Sequence, residues 1–244
     1  MKDLKEKVAG EIEHGKKIRD NAEDIWGWGT PAGKLRADRR ARFFIELGGL
    51  NHNSRVLEIG CGTGLFTRKV YNVTKAQITA IDISEDLLEQ AREKLPEADF
   101  RIEDAMALSF GDNSFDCVYG SSILHHLDFE KALNEIFRVL KPGGSMIFAE
   151  PNMINPQIFL QKNIPALKRW MGDSPDETAI VRWSFEKLMK KTGFDNVKIF
   201  PYDFLHPAVP KPLIPIIKKT GEIVEKIPLL KEIAGSVVIY GQKK

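Results

Sequence analysis

The stretch Glu58-Ile59-Gly60-Cys61-Gly62-Thr63-Gly64 decides how this chain folds. It follows a short apolar run over residues 55–59, which predicts a buried strand, and it precedes a helical pattern that runs from Gly64 to about Tyr71. Glycines allow a sharp turn and a close approach of the backbone to a ligand. In open parallel sheets, ligands bind at such strand ends. Taken alone, however, the stretch is equally compatible with a turn that binds nothing.

The residues that follow alternate between strand and helix patterns. Further strands are predicted over residues 77–83, 99–103, 115–120 and 145–150. Between them, Ser84 and Asp128 are good N-caps for helices with apolar stripes, and the second helix ends before Lys141-Pro142-Gly143-Gly144. A later helix over 184–191 precedes strands near 197–202 and 236–240. This rhythm predicts an α/β fold with a mostly parallel sheet and helices on both faces.

The pattern of apolar, charged and glycine residues divides the chain into two parts. Residues 1–52 form a predicted helical extension, with a helix over 35–47, and residues 53–244 form the main domain. The rhythm is interrupted at about 152–183, where Phe159, Trp170 and Trp183 occur, and at about 207–232. We interpret both interruptions as lid insertions.

Composition excludes several classes of protein. The 36 basic and 34 acidic residues give a net charge of +2, which does not favour a nucleic-acid binder. Cys61 and Cys117 are the two cysteines, so neither a disulfide framework nor a cysteine metal site is predicted, and we expect no metal. The charged start at residues 1–7 does not resemble a signal peptide, and no apolar run reaches the length of about 18 residues that spans a membrane. We therefore expect a soluble, cytoplasmic protein.

Acidic residues at the next two strand ends indicate which cofactor the turn binds. Dinucleotide sites have the spacing G-x-G-x-x-G, but Leu65 occupies the last glycine position here. Asp82 follows 18 residues after Gly64, at the end of the second strand, where a carboxylate can accept hydrogen bonds from both hydroxyls of a ribose. Asp104 follows the third strand, where a side chain can meet an adenine amino group.

Together these motifs resemble those of the class I S-adenosylmethionine (SAM)-dependent methyltransferases. The matching segments are Val-Leu-Glu-Ile-Gly-Cys-Gly-Thr-Gly at 56–64, Ile-Asp at 81–82, Glu-Asp-Ala at 103–105, Phe-Asp-Cys-Val-Tyr-Gly at 115–120 and Val-Leu-Lys-Pro-Gly-Gly at 139–144. Within that class, the chain is similar to the small-molecule branch with ubiquinone/menaquinone-type and sterol-type enzymes. The resemblance implies a Rossmann-like sheet of seven strands whose last strand, 236–240, runs antiparallel to 197–202.

The resemblance also implies roles for individual residues toward SAM. Glu58 would hold the methionine amino end, directly or through water, and Ser121 or Ser122 would border the methionine portion. Asp82 would bind the ribose and Asp104 the adenine amino group. The remaining cofactor-binding candidates shape the turn, pack on the adenine, contribute backbone or cover the site: Gly60, Gly62, Thr63, Gly64, Ile83, Ala105 and Trp28.

Methyl transfer from a sulfonium requires alignment, and it requires a base when the acceptor must lose a proton. His125 and His126, which follow the fourth strand, and Glu150, at the end of the fifth, are the catalytic candidates. The histidine pair is equally readable as a structural element before the next helix. Tyr202, Asp203 and His206 form a third polar cluster.

Two further segments bear on the acceptor. The stretch Trp26–Gly33 is expected to pack over the cofactor, where its indoles could cover the sulfonium or simply anchor the extension. Arg36, Arg39, Arg40 and Arg42 follow; we interpret them as a solvated helix face, with an anionic substrate as the alternative. The apolar residues and lysines of 207–232 favour a hydrophobic or lipid-linked small-molecule acceptor and peripheral membrane contact. The protein is expected to be a monomer or a homodimer.

Other functions stay open on the sequence alone. A nicotinamide-dependent oxidoreductase has a related fold but is disfavoured by Leu65. A non-catalytic module that binds SAM or its product would show the same motifs. Nucleic-acid or protein methylation is a further alternative, although Tyr119-Gly120-Ser121-Ser122 stands where base-amine methyltransferases have Asn-Pro-Pro-Tyr.

Overall fold

The computed structural model describes Gly10, Ile12, Glu13 and residues 15–170 and 178–244. The strands are β1 (Arg55–Ile59), β2 (Gln77–Asp82), β3 (Asp99–Ile102), β4 (Phe115–Ser121), β5 (Leu140–Pro151), β6 (Phe194–Tyr202) and β7 (Ser236–Lys243). Residues 15–18 are helical, and the helices that follow are α1 (Ala22–Ile25), α2 (Pro31–Gly48), α3 (Leu65–Thr74), α4 (Glu85–Lys94), α5 (Phe129–Val139), α6 (Pro156–Asn163), α7 (Pro165–Trp170), α8 (Arg182–Thr192) and α9 (Ile214–Val224). Short 3₁₀ turns occur at Arg19–Asn21, Leu124–His126, Lys211–Leu213 and Leu230–Ile233.

The strands form one seven-stranded sheet in the order β3-β2-β1-β4-β5-β7-β6. The pairs β1–β2, β1–β4, β2–β3 and β4–β5 are parallel, whereas β7 runs antiparallel to both β5 and β6. This confirms the predicted mostly parallel sheet with an antiparallel last strand. The strand order reverses between β1 and β4, and in such sheets ligands bind beyond the carboxyl ends of the strands at that reversal.

Buried side chains cover both faces of the sheet. Because neighbouring strand residues point to opposite faces, Val56 belongs to the core on one side and Leu57 to the core on the other. Phe44 of α2 is fully buried in the first core, where its ring stacks on Tyr119 at 4.9 Å. A helix of the predicted extension thus packs in the same core as the strands. The second core contains buried residues of α5 and α8.

Several element boundaries differ from the predicted ones. The helix α2 begins at Pro31 rather than at residue 35, because the Thr30 hydroxyl accepts a hydrogen bond from the Gly33 amide at 2.9 Å and caps it. The strand β5 begins at Leu140 rather than at residue 145, since Leu140 already pairs with Phe115 before a register shift. The Asp128 cap is confirmed by its bond to the Lys131 amide, 3.2 Å long.

The predicted Ser84 cap is wrong. Ser84 occupies the residue before α4, but its side chain makes no capping hydrogen bond. Its amide instead donates to the Asp82 carboxylate at 3.0 Å, so the acidic residue at the strand end organises this turn.

The two predicted insertions contain helical segments. The first includes α6 and α7, while residues 171–177 lie outside the described residues, as do residues 1–9 and the side chain of Trp170. The second includes α9 and two 3₁₀ turns. Among the described residues, no helix is both long and apolar enough to cross a membrane. The division of the chain at residue 52 stays a prediction.

Candidate functional site

A cavity of about 690 Å³ lies at the carboxyl ends of the parallel strands. Its volume falls within the range of about 300–1,000 Å³ that is typical of small-molecule sites. It is lined by most of the predicted site residues: Trp28, Gly60, Gly62, Thr63, Asp82, Ile83, Asp104, Ala105, Ser121, His125 and His126. Glu58, Gly64 and Glu150 do not line it and lie buried around it.

The glycine turn has a backbone that few other residues adopt. Gly60, Gly62 and Gly64 all have positive φ angles, of 68°, 51° and 74°. The Gly60 amide donates to the Ile81 carbonyl at 2.8 Å, which ties the turn to β2. A Cβ at Gly62 would lie 2.9 Å from the Trp26 ring, so the residue is small for a steric reason as well as a conformational one.

Asp82 holds the turn in shape. One carboxylate oxygen accepts the Gly62 amide at 2.8 Å and the other accepts the Ser84 amide at 3.0 Å. An ionised carboxylate has about four lone-pair sites, so it can bind two backbone amides and accept further hydrogen bonds as well. The same side chain can therefore shape the turn and accept hydroxyl groups from the cavity.

The loop after β3 brings a second carboxylate to the same wall. Asp104 accepts the Met106 amide at 2.8 Å, which fixes its side chain beside Ala105. Both residues line the cavity, as does Ile83 after β2. One end of the cavity is consequently acidic and carries the two carboxylates that the sequence assigns to ribose and adenine.

Glu58 lies beneath the turn with only 1% of its surface exposed. The Tyr119 hydroxyl donates to its carboxyl group at 2.7 Å. Burial raises the pKa of Glu58 from its ordinary value of 4.5 to about 7, and the negative charge of Asp82 adds to this rise. Any contact of Glu58 with a ligand in the cavity needs a water or a small movement, because the side chain does not line the cavity wall.

His125 and Glu150 form a buried pair on the opposite wall. The imidazole Nδ1 lies 2.6 Å from Glu150 Oε2, and the other carboxylate oxygen accepts the amides of Ile123 and Leu124 at 2.9 and 3.0 Å. Burial alone would raise the pKa of Glu150, but the hydrogen bonds outweigh burial and lower it. An ionised carboxylate only accepts hydrogen bonds, so Nδ1 carries the proton of this bond, and Nε2 is the nitrogen at which the ring can gain or lose a proton. The His126 ring lies 4.2 Å from that of His125.

The segment before α2 covers the glycine turn. The Glu23 carboxylate accepts the Thr63 hydroxyl at 3.0 Å and pairs with Lys94 at 2.8 Å, which fastens α1 to the turn and to α4. Trp28 lines the cavity and packs edge-on against Phe66. The guanidinium group of Arg40 lies over the Trp28 ring, 4.9 Å from its centre. Its ring therefore already has a cation partner.

The interpretation of the α2 arginines as a solvated face is wrong for Arg40. Arg42 is exposed, but Arg40 is only 2% exposed and lines the cavity together with Arg36. Residues four apart lie on one side of a helix, and that spacing was the available signal. From the third polar cluster, Asp203 and His206 line the cavity, whereas the Tyr202 hydroxyl accepts a bond from Arg40 at 3.0 Å.

Comparisons with known proteins bear on the family and the fold. Residues 57–148 match the family model described as a methyltransferase domain. The chain is 31% identical over 189 residues to the ubiquinone/menaquinone biosynthesis C-methyltransferase of Serratia proteamaculans, covering 65% of this chain and 73% of that protein. It is 30% identical over 155 residues to an uncharacterised methyltransferase-like protein of Schizosaccharomyces pombe, and this match covers 64% of the chain and about three fifths (59%) of that relative.

Solved structures show the same fold. The crystal structure of a SAM-dependent methyltransferase from Thermotoga maritima, described as a possible histamine N-methyltransferase, aligns with a TM-score of 0.64 at 22% identity and covers 93% of this chain and 98% of that one. The sheet order, the glycine turn with its two carboxylates and the sequence matches lead to one conclusion. The chain belongs to the class I SAM-dependent methyltransferases, whose cofactor is SAM.

Proposed function

We propose that this chain transfers a methyl group from SAM to a small, largely apolar acceptor. The observation that carries the proposal is that one cavity is lined by Asp82 and Asp104 and also by His125, whose imidazole binds the buried Glu150 behind it. Asp82 binds the ribose hydroxyls and Asp104 the adenine amino group. The glycine turn packs along the cofactor. The other cavity residues beside the cofactor are Thr63, Ile83, Ala105, Ser121 and Trp28.

The chemistry requires little from the protein beyond alignment. When bound, SAM supplies a methyl carbon on a positively charged sulfur, which leaves as a neutral thioether. His125 Nε2 accepts the proton of an acceptor hydroxyl or acidic carbon as the new bond to the methyl carbon forms. Glu150 stabilises the resulting imidazolium and fixes the ring orientation, as the carboxylate does in a catalytic triad. Glu150 is thus a positioning residue, because it is fully buried and does not line the cavity.

The surroundings of the His125 wall favour an apolar acceptor. Leu127, Ile158, Phe204 and Leu205 line the cavity, and the first insertion contributes Ile158 from α6. Apolar pockets with a few polar groups bind ligands of the same character. The small-molecule branch of the family, suggested by the sequence motifs, is consistent with such an acceptor.

We also propose contact with a membrane surface through the second insertion. Leu213, Ile216, Ile223 and Leu229 are exposed there, Leu229 to 85%, and Lys218, Lys219 and Lys226 are exposed beside them. Exposed apolar side chains with interspersed lysines are typical of segments that lie on an anionic lipid surface. A cytoplasmic location and a monomeric or homodimeric state stay predictions.

The proposal is tested by measuring S-adenosylhomocysteine release from SAM over a panel of phenols, hydroquinones and carboxylic acids. We expect turnover with at least one acceptor, and we expect His125→Gln to lower it by about a hundredfold, the usual contribution of a general base. The control is His52→Gln, because His52 is exposed on the loop before β1. Binding of the cofactor without turnover over the whole panel would instead support a non-catalytic SAM-binding module. Equal activity of the His125→Gln variant and the parent would exclude His125 as the base.

A further inference from the structure

Two polar side chains next to the two insertions meet at the cavity. Gln157 lies on α6 in the first insertion, and His206 directly precedes the second insertion. The side-chain nitrogen of Gln157 lies 3.2 Å from His206 Nε2, and both residues line the cavity. Both are exposed, which places them at the opening of the cavity. Neither residue has a role in the methyl transfer proposed above.

A backbone contact fixes which nitrogen of His206 carries a proton. The Ala208 amide donates to Nδ1 at 3.2 Å, so Nδ1 is an acceptor without a proton. Partial burial and the positive charge of Arg36 lower the pKa of His206 from its ordinary value of 6.5, against the opposite effect of Asp203, and this favours the neutral ring at pH 7. A neutral imidazole has one N–H group, which is therefore that of Nε2, the nitrogen beside Gln157.

The pair presents N–H donors in either orientation of the Gln157 amide. With the amide nitrogen toward His206, two donors lie side by side and can share one oxygen of a ligand. With the amide turned by 180°, its oxygen accepts the Nε2–H, and its NH₂ group is the donor that a ligand meets. Both arrangements therefore suit a ligand oxygen that accepts hydrogen bonds.

The loop that carries His206 is held by hydrogen bonds on both sides of the ring. The Leu205 amide donates to the Asp203 carboxylate at 3.1 Å. The Thr30 hydroxyl donates to the Pro207 carbonyl at 2.9 Å, which ties the loop to the segment before α2. A donor that is already held in place loses little freedom when a ligand binds, so it contributes to affinity and specificity.

The charges next to the pair cancel. Arg36 and Asp203 are the charged residues that act on the His206 ring, and they form an ion pair with each other at 2.6 Å. Both also line the cavity. An ion pair offers no net charge to hold an anion. The surroundings of His206 and Gln157 are therefore better matched to a neutral oxygen than to a carboxylate or a phosphate.

The pair lies apart from the residues assigned to the cofactor. In the sheet, β3, β2 and β1 lie on one side of β4, and β5, β7 and β6 lie on the other. The strand-end residues assigned to SAM follow β1 to β4, whereas Gln157 follows β5 and His206 follows β6. Their apolar neighbours in the chain, Ile158 and Leu205, line the same cavity. The pair therefore belongs to the part of the cavity that these cofactor residues leave to the acceptor.

We propose that His206 and Gln157 bind a neutral oxygen of the methyl acceptor, a carbonyl or a hydroxyl, at the opening of the cavity. The inference rests on the proposed function, because it adds a chemical feature to the apolar acceptor of that same cavity. The oxygen bound here is distinct from the atom that is methylated beside His125. His206 and Gln157 thus determine specificity and take no part in the transfer itself.

The test compares acetophenone with ethylbenzene, which share a carbon skeleton and differ in one carbonyl group. Each is titrated into protein saturated with S-adenosylhomocysteine, and ligand-observed NMR gives its Kd. We expect Gln157→Ala to shift the ratio of the two Kd values about threefold to tenfold against acetophenone, the usual effect of one neutral hydrogen bond. His206→Asn keeps an acceptor for the Ala208 amide but lacks the Nε2–H, and it should shift the ratio likewise. Gln77→Ala, the same change at an exposed residue that begins β2, should leave the ratio unchanged.

Three results would overturn the inference. The first is an unchanged ratio in either Gln157→Ala or His206→Asn. The second is tighter binding of benzoate than of acetophenone by the parent, because the site would then select an anion. The third is a loss of affinity for S-adenosylhomocysteine in either variant, because the pair would then act on the cofactor. Failure of the parent to bind S-adenosylhomocysteine would be seen before any acceptor is added and would count against the proposed function.

Discussion

Replacing Glu58 by glutamine should change how stability depends on pH. The carboxyl group is 1% exposed, and its pKa is raised from 4.5 to about 7. Between pH 4.5 and about pH 7, the folded protein therefore keeps a proton on Glu58 that the unfolded protein has lost. Stability from this group is complete below pH 4.5 and is lost as the pH rises through about 7. With about 1.4 kcal/mol per pKa unit, the loss of stability between pH 5 and pH 8 is roughly 2 to 3 kcal/mol.

Glutamine does not ionise, yet it can still accept the hydrogen bond of Tyr119. The Glu58→Gln variant should consequently lack this loss, and its stability relative to the parent should rise by roughly 2 to 3 kcal/mol from pH 5 to pH 8. Urea unfolding at a series of pH values measures the difference. Glu97→Gln, at an exposed residue, controls for the loss of one surface charge. Parallel pH profiles of the parent and Glu58→Gln would refute the reasoning, since they would mean that Glu58 titrates alike in the folded and unfolded states.

Two further predictions concern the turn and the second insertion. Gly62→Ala and Gly143→Ala both place a side chain at positive φ, at a cost of about 1–2 kcal/mol. The new methyl group contacts a ring only in Gly62→Ala, where it meets Trp26. Only Gly62→Ala should therefore also weaken S-adenosylhomocysteine binding in a thermal-shift titration. Equal binding by both variants would contradict this. Leu229→Glu should lower co-sedimentation of the protein with phosphatidylserine vesicles. Val73→Glu, at another exposed apolar residue, should not. Equal vesicle binding by both variants would argue against a lipid-facing insertion.

The strand ends were predictable because they combine two strong local signals. A buried parallel strand is a short apolar run, and the turn after it needs residues with special backbone or hydrogen-bonding properties. For this reason the glycine turn, Asp82 and Asp104 could be assigned to the carboxyl edge of the sheet from the sequence. The Asp128 cap is equally local, since the side chain bonds within its own first helical turn.

Long-range burial of polar groups could not be predicted in the same way. Arg40 lies in a run of charged residues on α2, and its burial depends on partners 81 to 196 positions away in the chain. Glu150 was predicted as a catalytic candidate from its strand end, but it binds His125 and does not line the cavity. For Arg40 and Glu150, a tertiary contact outweighs the local pattern. Ser84 has the right residue type for a cap, yet its hydroxyl makes no capping hydrogen bond, and its own amide donates to Asp82.

Binding of the SAM ribose by the glycine turn and Asp82 can be measured by isothermal titration. S-adenosylhomocysteine is titrated into the parent, Asp82→Asn and Asp195→Asn, the last being exposed at the opposite end of the sheet. We expect the parent and Asp195→Asn to bind alike, and Asp82→Asn to bind at least about tenfold more weakly, because a charge-assisted hydrogen bond is lost. If Asp82→Asn binds as tightly as the parent, Asp82 does not bind the ribose.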